Sequence, residues 1–211
     1  EEIAYASSLS QQTATQSPLH TQYPNIEPLL GETQWGQNKP YNDLCPIVDG
    51  KRSVAGCVAT ALSQIMYKHK YPARGQGNHS YKLRNGTEVS ADFSKATYDW
   101  DNMLPQYKGS SYTAEQANAV AELMREIGYA MEMDYTDDMS GQDQGHIAKG
   151  IVEHLGYDKG LRIRYAETHE EEEWVEMLKE ELDAKRPILY CGFTALQEGH
   201  AFVCDGYDTD G

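Results

Sequence analysis

The sequence predicts an α+β domain. Three observations carry this. Helical periodicity fills the middle of the chain, strand-like runs gather at its end, and strands and helices do not alternate regularly between them. A length of 211 residues is enough for one domain with a substantial core, with or without an appendage.

Taken in order, residues 1–25 are rich in Ser, Gln, Thr and Ala without a sustained period, and they read as a tail. The folded domain is expected over residues 26–211, starting with Ile26-Glu27-Pro28-Leu29-Leu30. Trp35-Gly36-Gln37-Asn38-Lys39-Pro40-Tyr41-Asn42 is a loop by its Gly, Asn and Pro content. Val58, Ala61, Leu62, Ile65 and Met66 then recur at the spacing of one helical face, with Cys57 in the first turn and Pro72 closing the segment near His69 or Lys70. Asn85-Gly86 between alternating residues predicts a hairpin over 81–89. Residues 91–104 read as a short helix or turn around Trp100. Thr113 and Gln116 have capping-box spacing and open a helix that turns Val120, Leu123, Met124 and Ile127 inward until Gly128 stops it. A polar loop over 134–145, a helix of about 144–155 ending at Gly156, and a strand through Leu161, Ile163 and Tyr165 follow. Thr168 is expected to cap a helix carrying Glu170 to Glu173 near its positive end, a solvated charged face. Two strands close the chain, 187–193 and 200–205.

Composition excludes several classes. Lys and Arg total 18 against 33 Asp and Glu, a net charge of −15, which argues against nucleic acid and anionic membranes as partners. No apolar run approaches the ~20 residues of a spanning helix. Cys45, Cys57, Cys191 and Cys204 are too few for a disulfide scaffold and fit no zinc spacing, so no metal or other cofactor is expected. Cys191 and Cys204 lie on neighbouring predicted strands, which leaves a disulfide between them open. Otherwise Cys45, Cys191 and Cys204 read as small buried apolar side chains.

Cys57 differs. At the start of a helix, free backbone N–H groups and the dipole favour negative charge, and the thiolate is the reactive form of cysteine. Nucleophilic thiol chemistry also needs an imidazole and oxyanion donors. His69 ends the same helix about three turns away, too far to reach. His20, His79, His146, His154 and His169 lie in the tail, near the hairpin, or in and beside helices, and read as surface or packing residues. His200 starts an apolar strand directly after Gly199, where a rigid element can hold it beside a cleft. Its separation from Cys57 falls in the range of papain-type cysteine and histidine pairs.

With these residues in place, the chain resembles the streptopain family of secreted bacterial cysteine peptidases. The resemblance runs over about 28–208. It is carried by Trp35-Gly36-Gln37, Pro40-Tyr41-Asn42, Gly56-Cys57-Val58-Ala59-Thr60-Ala61, Gln64-Ile65-Met66, Tyr71-Pro72, Trp100 to Pro105, Glu122-Leu123-Met124, Met133-Asp134-Tyr135, Pro187, Gly199-His200-Ala201-Phe202-Val203 and Asp205-Gly206. It implies a papain-like fold of two halves, a helical one with the nucleophile and an antiparallel sheet with the histidine, and an active-site groove between them. It further implies Cys57 as nucleophile, His200 as base, and Gln37 with the Cys57 N–H as oxyanion donors. Phe193 and Gly199 become candidates for the wall of a pocket that favours a hydrophobic side chain two positions before the scissile bond.

The expected partners are protein or peptide substrates and the enzyme's own inhibitory propeptide, of which residues 1–25 would be the last stretch or the mature N-terminus. The family continues past the histidine into an Asn-Trp-Gly-Trp loop and further strands. The domain is therefore expected to be incomplete at its C-terminus, with the remainder supplied as another fragment, and the protein to be secreted or at the bacterial cell surface. Two rival readings stand beside this one: a thiol amidase or acyltransferase on the same scaffold, and a non-catalytic peptide-binding module.

Overall fold

The computed structural model describes residues 2–6, 25–194 and 199–208. Its elements run β1 (Glu2–Ala6), β2 (Asn25–Ile26), β3 (Ile47–Val48), β4 (Lys51–Arg52), α1 (Cys57–His69), β5 (Asn78–Lys82), β6 (Glu88–Asp92), α2 (Ala114–Ala130), α3 (Gln144–His154), β7 (Arg162–Tyr165), a 3-10 turn (Ala166–Thr168), α4 (Glu171–Asp183), β8 (Ile188–Phe193), β9 (Gly199–Cys204) and β10 (Tyr207–Asp208). The α+β class holds, with helices and separate small antiparallel sheets.

Helix α1 is the centre. The spacing predicted one buried face, but Ala59, Thr60 and Ser63 are buried as well, so the helix is enclosed over most of its girth. Its polar members are satisfied locally. The Thr60 hydroxyl donates to the Gly56 carbonyl at 2.9 Å, and the Ser63 hydroxyl donates to the Thr60 carbonyl at 2.9 Å. Lys70 adopts the left-handed conformation and ends the helix where expected.

Helix α2 packs against α1 and starts with the predicted capping box: Thr113 Oγ1 accepts from the Gln116 N–H at 3.3 Å, and Gln116 Oε1 accepts from the Thr113 N–H at 2.8 Å. The hairpin β5–β6 pairs His79 with Ala91 and Tyr81 with Val89, with Gly86 at φ 83° in its turn. Residues 93–104 contain turns and no helix.

The second half is a four-stranded sheet in the order β7-β1-β8-β9, antiparallel throughout. Strand alternation gives it two buried faces. Leu189, Cys191 and Ala201 join the main core with α1, while Ile188 and Tyr190 pack with Trp174 and Leu182 of α4 in a smaller cluster.

Four expectations change. Residues 2–6, placed in a tail, form β1 between β7 and β8; the rest of 1–24 lies outside the described residues. Gly128 does not stop α2, which continues to Ala130; it is buried there because the Tyr135 hydroxyl lies 1.9 Å from where a Cβ would stand. Thr168 is not the cap of α4. Its hydroxyl donates to the Tyr165 carbonyl at 2.8 Å within the 3-10 turn, and Glu170 takes the N-cap position. Cys191 and Cys204 form no disulfide. Cys191 lies opposite Ala201 and Cys204 opposite Ile188, the two point to opposite faces of the sheet, and all four cysteines are free.

The Tyr135 contact decides the sign of one substitution. In an open helix Gly→Ala stabilises by up to about 1 kcal/mol. Here Gly128→Ala is expected to cost about 1–3 kcal/mol through overpacking. Urea unfolding checks it, and a midpoint at or above wild type would show that Tyr135 yields freely.

Candidate active site

Cys57 is the first residue of α1, half-buried against the main core. Gly56 precedes it at φ 92°, a conformation that L side chains rarely adopt, and an added Cβ would stand 2.8 Å from the Ser140 carbonyl oxygen. No side chain caps this helix, and its first turn holds no acidic residue. The positive end of α1 is therefore left to the thiol and to whatever binds beside it.

The Trp35–Gln37 loop is laid along the same helix. The Trp35 N–H donates to Gln64 Oε1 at 3.1 Å, and the Thr60 hydroxyl reaches the Gly36 carbonyl at 3.4 Å. The Ala55 N–H donates to the Gln37 carbonyl at 2.9 Å, two residues before Cys57. The Trp35 indole N–H is anchored on the Leu104 carbonyl at 2.9 Å, and its ring packs on Tyr67. Gln37, expected from the sequence on a loop before the cysteine, is thus fixed by its backbone beside the helix start.

A second loop borders that start, and sequence reasoning assigned it nothing. The Val54 N–H donates to the Thr136 carbonyl at 3.0 Å, and the Ser140 hydroxyl donates to the Val54 carbonyl at 2.8 Å. Ser140 is buried although Asp137, Asp138 and Met139 before it are exposed. Polar composition marked this stretch as a loop, and only the long-range bonds to Val54 give it a place.

His200 lies on β9 opposite Gly192, on an element that packs against α1. Its exposed ring shares a strand face with Phe202, 6.5 Å away, while Ala201 between them faces α1. Cys57 and His200 are thus on contacting elements, with no direct hydrogen bond between their side chains. Phe193 lies opposite Gly199, and its ring lies 2.6 Å from where a Cβ on Gly199 would stand. The glycine makes room for the aromatic ring at the same end of the sheet as His200.

Four of the other histidines have partners of their own, while His20 lies outside the described residues. His79 Nε2 lies 2.9 Å from Glu132, His146 pairs with Asp143 at 2.6 Å, His154 stacks on Phe93, and His169 pairs with Glu173 at 3.3 Å. No cluster that would hold a metal ion exists among the described residues.

Burial pushes the Cys45 thiol up to about 12. Burial, and then the charge of the nearby Cys57, push the Cys191 thiol up to about 12 as well. Both are thiols, not thiolates, at neutral pH.

A cysteine at the tip of a buried central helix, set against an antiparallel sheet that carries a histidine, defines a papain-like fold. The chain belongs to the peptidase C10 family, whose profile matches residues 35–211. It is 34% identical over 181 residues to the thiol protease/hemagglutinin PrtT of Porphyromonas gingivalis, covering 84% of this chain and 20% of that protein. It is 29% identical over 191 residues to streptopain of Streptococcus pyogenes, covering 82% and 48%. Among solved structures, active wild-type interpain A cysteine protease of Prevotella intermedia superposes with a TM-score of 0.79 at 37% identity, covering 89% of this chain and 79% of that one. The chain spans less than half the length of the curated relatives it matches.

The burial pattern orders the thiols by reactivity. Brief treatment of the native protein with iodoacetamide at neutral pH is expected to alkylate Cys57 and spare Cys45 and Cys191 until the chain is denatured. Peptide mapping reads this directly, and early modification of Cys45 or Cys191 would contradict the assignment.

Proposed function

We propose that this chain is the catalytic region of a secreted bacterial cysteine endopeptidase. The observation that carries the reading is Cys57 at the uncapped, acid-free start of a buried helix, with the Gln37 backbone fixed two residues upstream of it. The family membership supports the reaction class. The Cys57 thiolate attacks the scissile carbonyl carbon. The resulting oxyanion takes hydrogen bonds from the Gln37 side-chain amide and the Cys57 backbone N–H. His200, as imidazolium, gives its proton to the leaving amine, and the C–N bond breaks to leave a thioester. His200 then takes a proton from water as that water attacks the thioester, and the thiolate leaves with the acid product formed. The free protein lacks a thiol–imidazole hydrogen bond, and such bonds commonly tighten only with substrate in place.

Phe193 and Gly199 form part of the wall that accepts a hydrophobic side chain two positions before the scissile bond. A propeptide holds the groove until it is removed, a role suggested by the family resemblance. No helix among the described residues is long and apolar enough to cross a membrane.

Hydrolysis of a fluorogenic peptide or casein tests the reading. Cys57→Ala and His200→Ala are expected to abolish turnover, and Gln37→Ala to lower kcat by about 10²–10³ with little change in KM. Equal turnover in wild type and Cys57→Ala would end the proposal. Alkylation of Cys57 by an epoxide inhibitor without any peptide cleavage would move the chain to amidase or acyltransferase chemistry.

A further inference from the structure

We propose that Cys57 and Cys191 are a redox pair: a hydroperoxide oxidises the helix-tip thiol, and the strand thiol captures it as an intramolecular disulfide that a dithiol can reopen. The inference rests on the reading of Cys57 as the reactive thiol, and it adds a modification site that peptide hydrolysis does not use.

Three observations set the two cysteines on facing, contacting elements. Cys191 is on β8 opposite Ala201, on the sheet face that meets α1. Helix α1 packs on both β8 and β9, and Cys57 packs against the same cluster that contains Cys191 and Ala201. Cys57 is also near enough to add, after burial, to the upward shift of the Cys191 thiol, whereas after burial Cys45 responds to Tyr135, Arg52, Arg125 and Asp43. Cys204 is on the far face of the sheet. Cys191 is therefore the cysteine positioned to reach Cys57.

The chemistry has a fixed order. Cys191 is 6% exposed and protonated, so it does not meet peroxide first. The Cys57 thiolate attacks one peroxide oxygen; the S–O bond forms, the O–O bond breaks, and the second oxygen leaves as hydroxide and is protonated to water. The Cys191 sulfur then attacks the sulfenic sulfur. The S–S bond forms, the S–O bond breaks, and the departing hydroxide takes the Cys191 proton as water. Two thiols lose two electrons in total, and hydrogen peroxide becomes two waters. Capture stops Cys57 short of the sulfinic acid, which a dithiol does not reverse. The cross-link removes the nucleophile, so the bridged protein is inactive and recoverable.

Equimolar hydrogen peroxide on the whole chain tests this, read by thiol titration and by peptide mapping without reductant. Wild type is expected to lose two thiols per oxidised chain, to yield a Cys57–Cys191 linked peptide, and to regain both thiols with dithiothreitol. Cys191→Ala and Cys191→Val are each expected to keep basal turnover and the native melting temperature. In both, Cys57 should proceed to the sulfinic acid with lasting loss of activity. The proposal is overturned if Cys57 in wild type reaches the sulfinic acid as fast as in the variants, or if the bridge forms to Cys45, to Cys204 or between chains. The linked peptide is read by mass alone. Its presence in a protein that cleaves no peptide would refute the peptidase reading and leave this one standing; its absence from an active peptidase would do the reverse.

Discussion

The enclosure of α1 constrains everything around it. Val58, Leu62, Ile65 and Met66 are each at most 4% exposed, and burial of each such side chain is worth about 1.5–3 kcal/mol. Helix α2 packs against α1, and β8 and β9 close on it from the sheet. A helix held this tightly cannot rotate or slide without opening the core. Its first residue is therefore a fixed point, and the segments that border it are fitted to that point. Gly56 has no side chain because the Ser140 carbonyl occupies the space one would need. Thr60 and Gln64 reach outward from the helix to hold the Gly36 carbonyl and the Trp35 N–H. The Trp35–Gln37 loop is thus tied to the helix by the helix's own side chains, so Cys57 and the loop keep their relation when other parts move.

What was legible in the sequence was what short-range physics decides. The helical spacing after Cys57, the Thr113 and Gln116 cap, the Asn85-Gly86 turn and the two strand-like runs at the end all became the elements they implied. What was not legible depended on partners distant in the chain. Strand β1 is five residues long, and both its neighbours lie more than a hundred residues away, so nothing local marks it. Gly128 has the appearance of a helix stop until Tyr135 folds onto it. Thr168 has a cap's chemistry, but its hydroxyl finds the Tyr165 carbonyl first. The cysteine and histidine candidates were legible as residue types at a known separation. The Ser140 loop was not, because a polar loop that bonds to Val54 reads like any other polar loop.

The sheet shows why the histidine end stays open. Alternation along β9 turns Ala201 to the core and leaves His200 and Phe202 on the other side. His200 sits at the second residue of β9, where the strand starts, on the face that Phe202 shares and that is turned away from α1, and its cross-strand neighbour is Gly192. The next pair toward the end is Phe193 with Gly199. Each of the two outermost pairs therefore sets one ring-bearing residue against a glycine. Any side chain at 199 would drive into the Phe193 ring, whereas glycine leaves that ring its space. Deeper in the sheet the pairs are Cys191 with Ala201 and Tyr190 with Phe202, and the inward members are packed tight. Rigidity at the helix tip and room at the strand end are complementary.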